Sequence, residues 1–181
     1  MLVKAEGIFK SDSCKKNEDP EWYKILKENK EFEFLFVGGG SKEQDLIKQC
    51  EYSGVTNVSF LGSFPMETVS EIVNICDVSV VTFKNIPILY TNSPNKLFDS
   101  LSAGKPIIVN SNGWTRSLVE SNNCGYYVDP ECPEEFVEKI MYLKNNESMK
   151  EQMGLAARKL AEDKYDKQIL CREFALIVEK L

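Results

Sequence analysis

Short apolar runs, each closed by a turn and followed by an amphipathic segment, recur along the whole of this 181-residue chain. The run Phe32-Glu33-Phe34-Leu35-Phe36-Val37 enters Gly38-Gly39-Gly40-Ser41 and then a helical pattern from Lys42 to about Tyr52, with Leu46, Ile47 and Cys50 inward. Val58-Ser59-Phe60-Leu61 enters Gly62-Ser63-Phe64-Pro65 and a helix from Met66 to Cys76, with Val69, Ile72 and Val73 inward. Residues 2 to 9, Asp77 to Phe83, Ile107 to Asn110 and Gly125 to Val128 read as the remaining strands. Further helices are expected from Pro20 to about Asn29, Thr115 to Ser121, Pro133 to about Lys144, Met149 to Glu162 and Lys167 to Lys180. Strands that are apolar on both faces and separated by helices need crossover connections. The prediction is an α/β fold: a doubly wound, Rossmann-like parallel sheet of about six strands, in a single domain over residues 1–181. In such sheets the ligand crevice lies outside the carboxyl ends of the strands. The Gly38–Ser41, Gly62–Pro65 and Lys84–Lys96 loops should therefore converge.

The stretch from Tyr90 to Val109 carries the densest set of signals. Ser93 reads as an N-cap and Pro94 as the first helical residue, while Gly104 supplies the left-handed stop and Lys105-Pro106 prevents continuation. Leu97, Phe98 and Leu101 fall on one side of this helix, and Lys96, Asp99 and Ala103 on the other. A helix start with open amides, a lysine in its first turn and a carboxylate one turn along suits a sugar nucleotide. The amides and Lys96 would face phosphate, and Asp99 would accept from paired ribose hydroxyls. The plainer reading is a solvated helix bearing a Lys/Asp pair. Likewise the Gly38–Gly40 turn suits close approach of phosphate, or is simply a tight link between strand and helix. The apolar loop Ile86-Pro87-Ile88-Leu89-Tyr90 must tuck against the body or meet a ligand or partner.

Charge and residue usage remove several classes. A net charge of −6 gives no basic surplus for nucleic acid or an anionic membrane. The six cysteines show no C-x-x-C pairing and the chain has no histidine, which argues against zinc sites, Cys/His pairs and Ser/His/Asp triads. The thiols read as reduced, as in a cytoplasmic protein. No run of about 18 apolar residues and no signal peptide is present, so no transmembrane segment is expected.

The ordered set Phe36-Val37-Gly38-Gly39-Gly40, Asn57-Val58-Ser59-Phe60-Leu61-Gly62, Asp77-Val78-Ser79-Val80-Val81, Ser93-Pro94-Asn95-Lys96-Leu97-Phe98-Asp99, Ala103-Gly104-Lys105-Pro106 and Gly125-Tyr126-Tyr127-Val128-Asp129-Pro130 resembles the C-terminal, donor-binding half of GT-B glycosyltransferases of family 4. The likeness runs from about residue 7 to 145 and is nearest to bacterial transferases of surface-polysaccharide assembly. It implies retaining transfer of a sugar from a nucleoside-diphosphate sugar, with no metal and no cofactor beyond that substrate. On this resemblance Gly39 and Gly40 lie near the diphosphate, and Gly62 and Phe64, in the turn to Pro65, border the base. Ser93, Asn95 and Lys96 cradle the leaving phosphates, with Lys96 the catalytic cation. Asp99 takes the place of the second glutamate of the family's E-x(7)-E pair, one methylene shorter. The first glutamate falls at Thr91, which carries no charge. Lys15 or Lys16 would correspond to a phosphate-binding lysine after the first strand. The expected partners are the nucleotide-sugar donor and an absent N-terminal acceptor-binding domain, through which the protein would sit peripherally at the inner membrane. Without that domain the chain is expected not to turn over.

Two other readings keep the fold. One is a noncatalytic nucleotide-binding or partner-docking subunit, which Thr91 favours; the other is half of a sugar-nucleotide 2-epimerase. A dinucleotide-dependent oxidoreductase lacks its glycine fingerprint here. The terminal helix, with Leu170, Phe174, Ala175, Ile177 and Val178, either packs on this domain or reaches toward the missing half.

Overall fold

The computed structural model describes residues 2–6, 30–83 and 85–180, the first five as backbone. Among the described residues, six strands form one wholly parallel sheet in the order β3-β2-β1-β4-β5-β6. They are β1 (Leu2–Glu6), β2 (Glu33–Val37), β3 (Val58–Gly62), β4 (Val78–Val81), β5 (Ile107–Val109) and β6 (Gly125–Tyr127). The helices are α1 (Glu43–Ser53), α2 (Met66–Ile75), α3 (Asn95–Ser102), α4 (Trp114–Ser121), α5 (Pro133–Asn145), α6 (Glu147–Lys164) and α7 (Lys167–Val178). The expected helix from Pro20 to about Asn29 and the loop bearing Lys15 and Lys16 lie outside the described residues.

Strand alternation divides the core into two layers. Phe34, Val78, Val80 and Ile108 pack with Ile140 and Leu143 of α5 on one face, and Val81, Ile107 and Val109 pack with Leu97, Leu101, Val119 and Leu160 on the other. Both faces of β4 and β5 are buried, as parallel strands between helices require. Leu97 and Leu101 are wholly buried, each contributing about 1.5–3 kcal/mol relative to exposure. Phe98 is half-buried rather than inward; its ring lies between Trp114, at 6.2 Å, and Tyr165, at 4.9 Å.

Two glycines bring α6 onto the end of α3. Gly104 takes φ +63°, and a Cβ on Gly154 of α6 would stand 2.5 Å from the Gly104 carbonyl oxygen. Arg158, one turn along α6, donates from Nη1 to the Ser102 carbonyl at 2.5 Å, satisfying a last-turn acceptor of α3. Lys150, nearer the start of α6, is held by Asp77, just before β4, at 2.7 Å and by Glu147 at 2.9 Å. Burial pulls the Lys150 pKa down, and the hydrogen bonds to these two carboxylates more than offset it, leaving the value raised.

Helix α7 departs from the plainer expectation that it packs on the domain. It has no buried residue, and Phe174 and Ile177 are 68% and 60% exposed. Among the described residues, no helix is long and apolar enough to cross a membrane. Cys50, Cys76 and Cys124 are buried thiols outside any disulfide, whereas Cys132 and Cys171 are exposed.

Candidate functional site

In the order β3-β2-β1-β4-β5-β6 the direction of winding reverses between β1 and β4, and ligands of open α/β sheets bind at that switch, beyond the strand carboxyl ends. Beyond β4 come Thr82 and Phe83, and against them lies Lys96. Its Nζ donates to the Thr82 carbonyl at 3.4 Å and stands 4.9 Å from the centre of the Phe83 ring. Lys96 is half-buried, as is Asp99 one turn along. The cation thus sits at the point the topology singles out.

The start of α3 differs from the expected cap. Pro94, not Ser93, occupies the N-cap position, with φ −81° and ψ 128°, and gives no side-chain cap; Asn95 is the first helical residue. A residue before proline is pushed to extended backbone, which leaves Ser93 outside the helix and exposed. The proline ring has no acceptor for the first-turn amides. Asn95 is also exposed, so Asn95 and Lys96 form a first turn that is open on its outer side.

Polar contacts hold α3 in place from beneath. The Ser100 hydroxyl donates to the Lys96 carbonyl at 2.6 Å, so the Ser79 hydroxyl of β4, 2.5 Å away, is the donor to Ser100. Both serines are buried. The loop before α3 is shaped by the β5–α4 turn. Asn110 bonds Phe83 twice, Ser111 donates to the Leu89 carbonyl at 3.4 Å, and the Trp114 indole donates to the Asn92 carbonyl at 2.9 Å. Gly113 faces Tyr90 so closely that a Cβ there would lie 2.1 Å from the Tyr90 oxygen.

The apolar loop forms a short 3-10 helix, Pro87–Thr91. Leu89 and Tyr90 turn inward to half-buried positions, so this part of the loop tucks against the body, while Ile88 remains 73% exposed. Thr91 is exposed, its hydroxyl donating to the Ile88 carbonyl at 3.2 Å. Tyr90 donates to Asn85 at 2.7 Å and Asn85 to Glu131 at 3.1 Å, tying this loop to the one after β6. There burial and then Asp129 push the Tyr127 phenol up, against the Arg116 guanidinium 4.2 Å over its ring.

Across β1, the other expected residues line the carboxyl ends of β2 and β3. Gly38 donates its amide to the Gly62 carbonyl at 2.8 Å, joining the two turns. Gly38 and Gly62 take φ +122° and +73°, and a Cβ on either would meet nothing within 4 Å. Gly39 and Gly40 are exposed; a Cβ on Gly39 would lie 3.3 Å from Ser63 Oγ and 3.4 Å from a carboxylate oxygen of Glu43. Phe64 is 43% exposed at the tip of the second turn. The structure therefore gathers the predicted residues in two groups on one edge: Gly39, Gly40, Gly62 and Phe64, and Thr91, Ser93, Asn95, Lys96 and Asp99. Two strand spacings, about 10 Å, separate β2 from β4.

Sequence reasoning missed Phe83, Ser100, Asn110 and Trp114. A polar residue directly after an apolar run, such as Asn110, is the only signal that was available for this set.

The pattern defining glycosyl transferases group 1 matches residues 21–160. The chain is 28% identical over 143 residues to a Bacillus subtilis (strain 168) protein provisionally named teichuronic acid biosynthesis glycosyltransferase TuaH, covering 75% of this chain and 36% of that one. It is 26% identical over 117 residues to spore coat protein SA of the same organism, covering 57% of this chain and 31% of that one. It thus spans about a third of these relatives' length. Among solved structures, Anabaena Alr3699/HepE in complex with UDP superimposes with a TM-score of 0.76 at 18% identity, over 99% of this chain and 49% of that one. At that identity the likeness is one of fold.

Proposed function

The chain belongs to the group 1 glycosyl transferases, and from that premise we propose that it is the donor-binding half of a retaining glycosyltransferase acting in surface-polysaccharide biosynthesis. Its donor is a nucleoside-diphosphate sugar and its acceptor a saccharide or lipid-linked saccharide, held by an N-terminal domain. The observation that carries this reading is the place of Lys96: a cation in the open first turn of α3, at the switch point between β1 and β4. When the bond from the anomeric carbon to the diphosphate breaks, negative charge gathers on the leaving phosphate. An ammonium group and the amide end of a helix both act on that charge. Asp99, one turn along and half-buried, receives ribose hydroxyls, while the β2 and β3 turns border the rest of the nucleotide. The solved HepE complex with UDP, and a second with UDP-glucose, support this donor class.

Titration of the 181-residue chain with UDP, GDP and ADP tests the reading. Lys96→Ala should weaken the bound nucleotide by about 1.5–3 kcal/mol, the scale of a hydrogen bond to a charged group. Affinity unaltered by Lys96→Ala would remove the foundation of the proposal. Thr91, with its hydroxyl engaged on Ile88 where the family carries a glutamate, favours a second reading: a nucleotide-binding subunit without turnover of its own. Reuniting the chain with an acceptor domain and analysing the products separates the two readings.

A further inference from the structure

We infer that Asn110 is a positioning residue, whose work is to fix the Phe83 platform on which the Lys96 ammonium rests; this depends on the reading of Lys96 as the phosphate-facing cation. Strands β4 and β5 are registered from Ser79 with Ile107 to Val81 with Val109, and there the ladder ends. Beyond it, the Asn110 side chain takes over. Its Oδ1 accepts from the Phe83 amide at 2.8 Å and its Nδ2 donates to the Phe83 carbonyl at 2.9 Å. Because a backbone N–H only donates and a C=O only accepts, these partners also fix which way the carboxamide points.

A side-chain amide reproduces the donor and acceptor pair of a peptide group, so the sheet is in effect extended by one residue after both strands have stopped. Asn110 is only 9% exposed, which shields the pair from competition by water. The consequence falls on Lys96. Two of its contacts, the Thr82 carbonyl at 3.4 Å and the Phe83 ring at 4.9 Å, belong to the segment Asn110 holds. Two residues further, the chain enters the exposed stretch Asn85–Ile88, where no strand pairing sets the backbone. An aspartate at 110 would set a carboxylate oxygen against the Phe83 carbonyl, and an aliphatic residue would leave both Phe83 groups unmet. The carboxamide is thus the group that sets the ammonium in place before a ligand arrives.

The experiment has two independent readouts. In the chain without ligand, proton NMR of the Lys96 ε-methylene, assigned by its loss in Lys96→Arg, should show an upfield ring-current shift relative to exposed lysines. Phe83→Leu, which keeps the Asn110 bonds, should abolish that shift, and Asn110→Ala should move it most of the way to the exposed value while the chain still melts cooperatively. Asn110→Ser serves in the same role where Asn110→Ala does not fold. A shift unaltered by these Asn110 variants, or persisting in Phe83→Leu, overturns the inference. The second readout is UDP affinity in a double-mutant cycle: Asn110→Ala should weaken UDP by about 5- to 10-fold with Lys96 present and by less than about twofold in the Lys96→Ala background. Equal losses in both backgrounds mean that Asn110 acts on the fold alone, and they also overturn it. Lys96→Ala without effect on UDP would sink the proposed function, whereas the ring-current readout would still decide the positioning.

Discussion

The two halves of the rim above the sheet are built in different ways. Beyond β2 and β3 the turns are joined by backbone hydrogen bonds, Gly38 to Gly62 and Glu43 to Gly40, and Cβ atoms placed on Gly38, Gly40 or Gly62 would enter open space. Beyond β4 and β5 the chain is held by side chains, with Asn110, Ser111 and Trp114 bonding back to the segment from Phe83 to Asn92. Gly113 is pressed directly against Tyr90. One half exposes bare backbone that a ligand can approach, and the other presents a cation whose surroundings are set beforehand. A site made this way needs little reorganisation on the side where charge develops.

The largest test of this contrast is Gly113→Ala. The new Cβ would meet the Tyr90 carbonyl at 2.1 Å, a backbone atom, and should cost about 3 kcal/mol of stability in urea denaturation. A cost near zero would show that the tight half has slack. Next is the alkaline limb of stability, set by Cys124, buried between α4 and β6 at the foot of the strands that carry the tight half. Burial pushes the Cys124 thiol from 9.0 up to about 11, against a weaker backbone hydrogen bond. The folded state therefore keeps a proton that the unfolded state releases above its own, lower pKa. Stability from this group is whole below pH 9 and falls between pH 9 and about 11, by roughly 2–3 kcal/mol in all. Comparing urea midpoints of the wild type and Cys124→Ala across that window should show the difference narrowing as pH rises; a constant difference would remove the claim. The smallest effect is expected at Gly40→Ala on the open half. Its backbone is not left-handed and its Cβ would touch nothing, so stability should hold or rise by up to about 1 kcal/mol. A loss as large as that at Gly113 would erase the distinction between the halves.

The sheet was legible in the sequence because burial on both faces writes itself as continuous apolar runs. Val78–Val81 and Ile107–Val109 fall within the predicted spans, and the Gly104 stop was visible for the same local reason. The cap of α3 was misread because Ser93 and Pro94 each satisfy a capping rule alone, and the restriction of the residue before proline decides between them. Phe98 follows the helical period yet packs sideways between Trp114 and Tyr165, a matter of neighbours distant in sequence. Asn110 and Ser100 were illegible as site residues. Their partners, Phe83 and Ser79, lie 27 and 21 positions away, and a lone polar residue beside an apolar run carries no mark of what it will meet.

Strand β1 is the earliest part of the sheet to be synthesised, yet it is paired on both sides, Val3 standing against Phe34 in β2 and Val78 in β4. It can pair with β2 early, but its other side must wait until β4 has been made, so closure of the sheet is a late and non-local event. Clipping these few residues would not shorten a border. It would open a seam down the centre, leaving a two-stranded and a three-stranded ribbon, each with a raw edge ready to pair with a stranger.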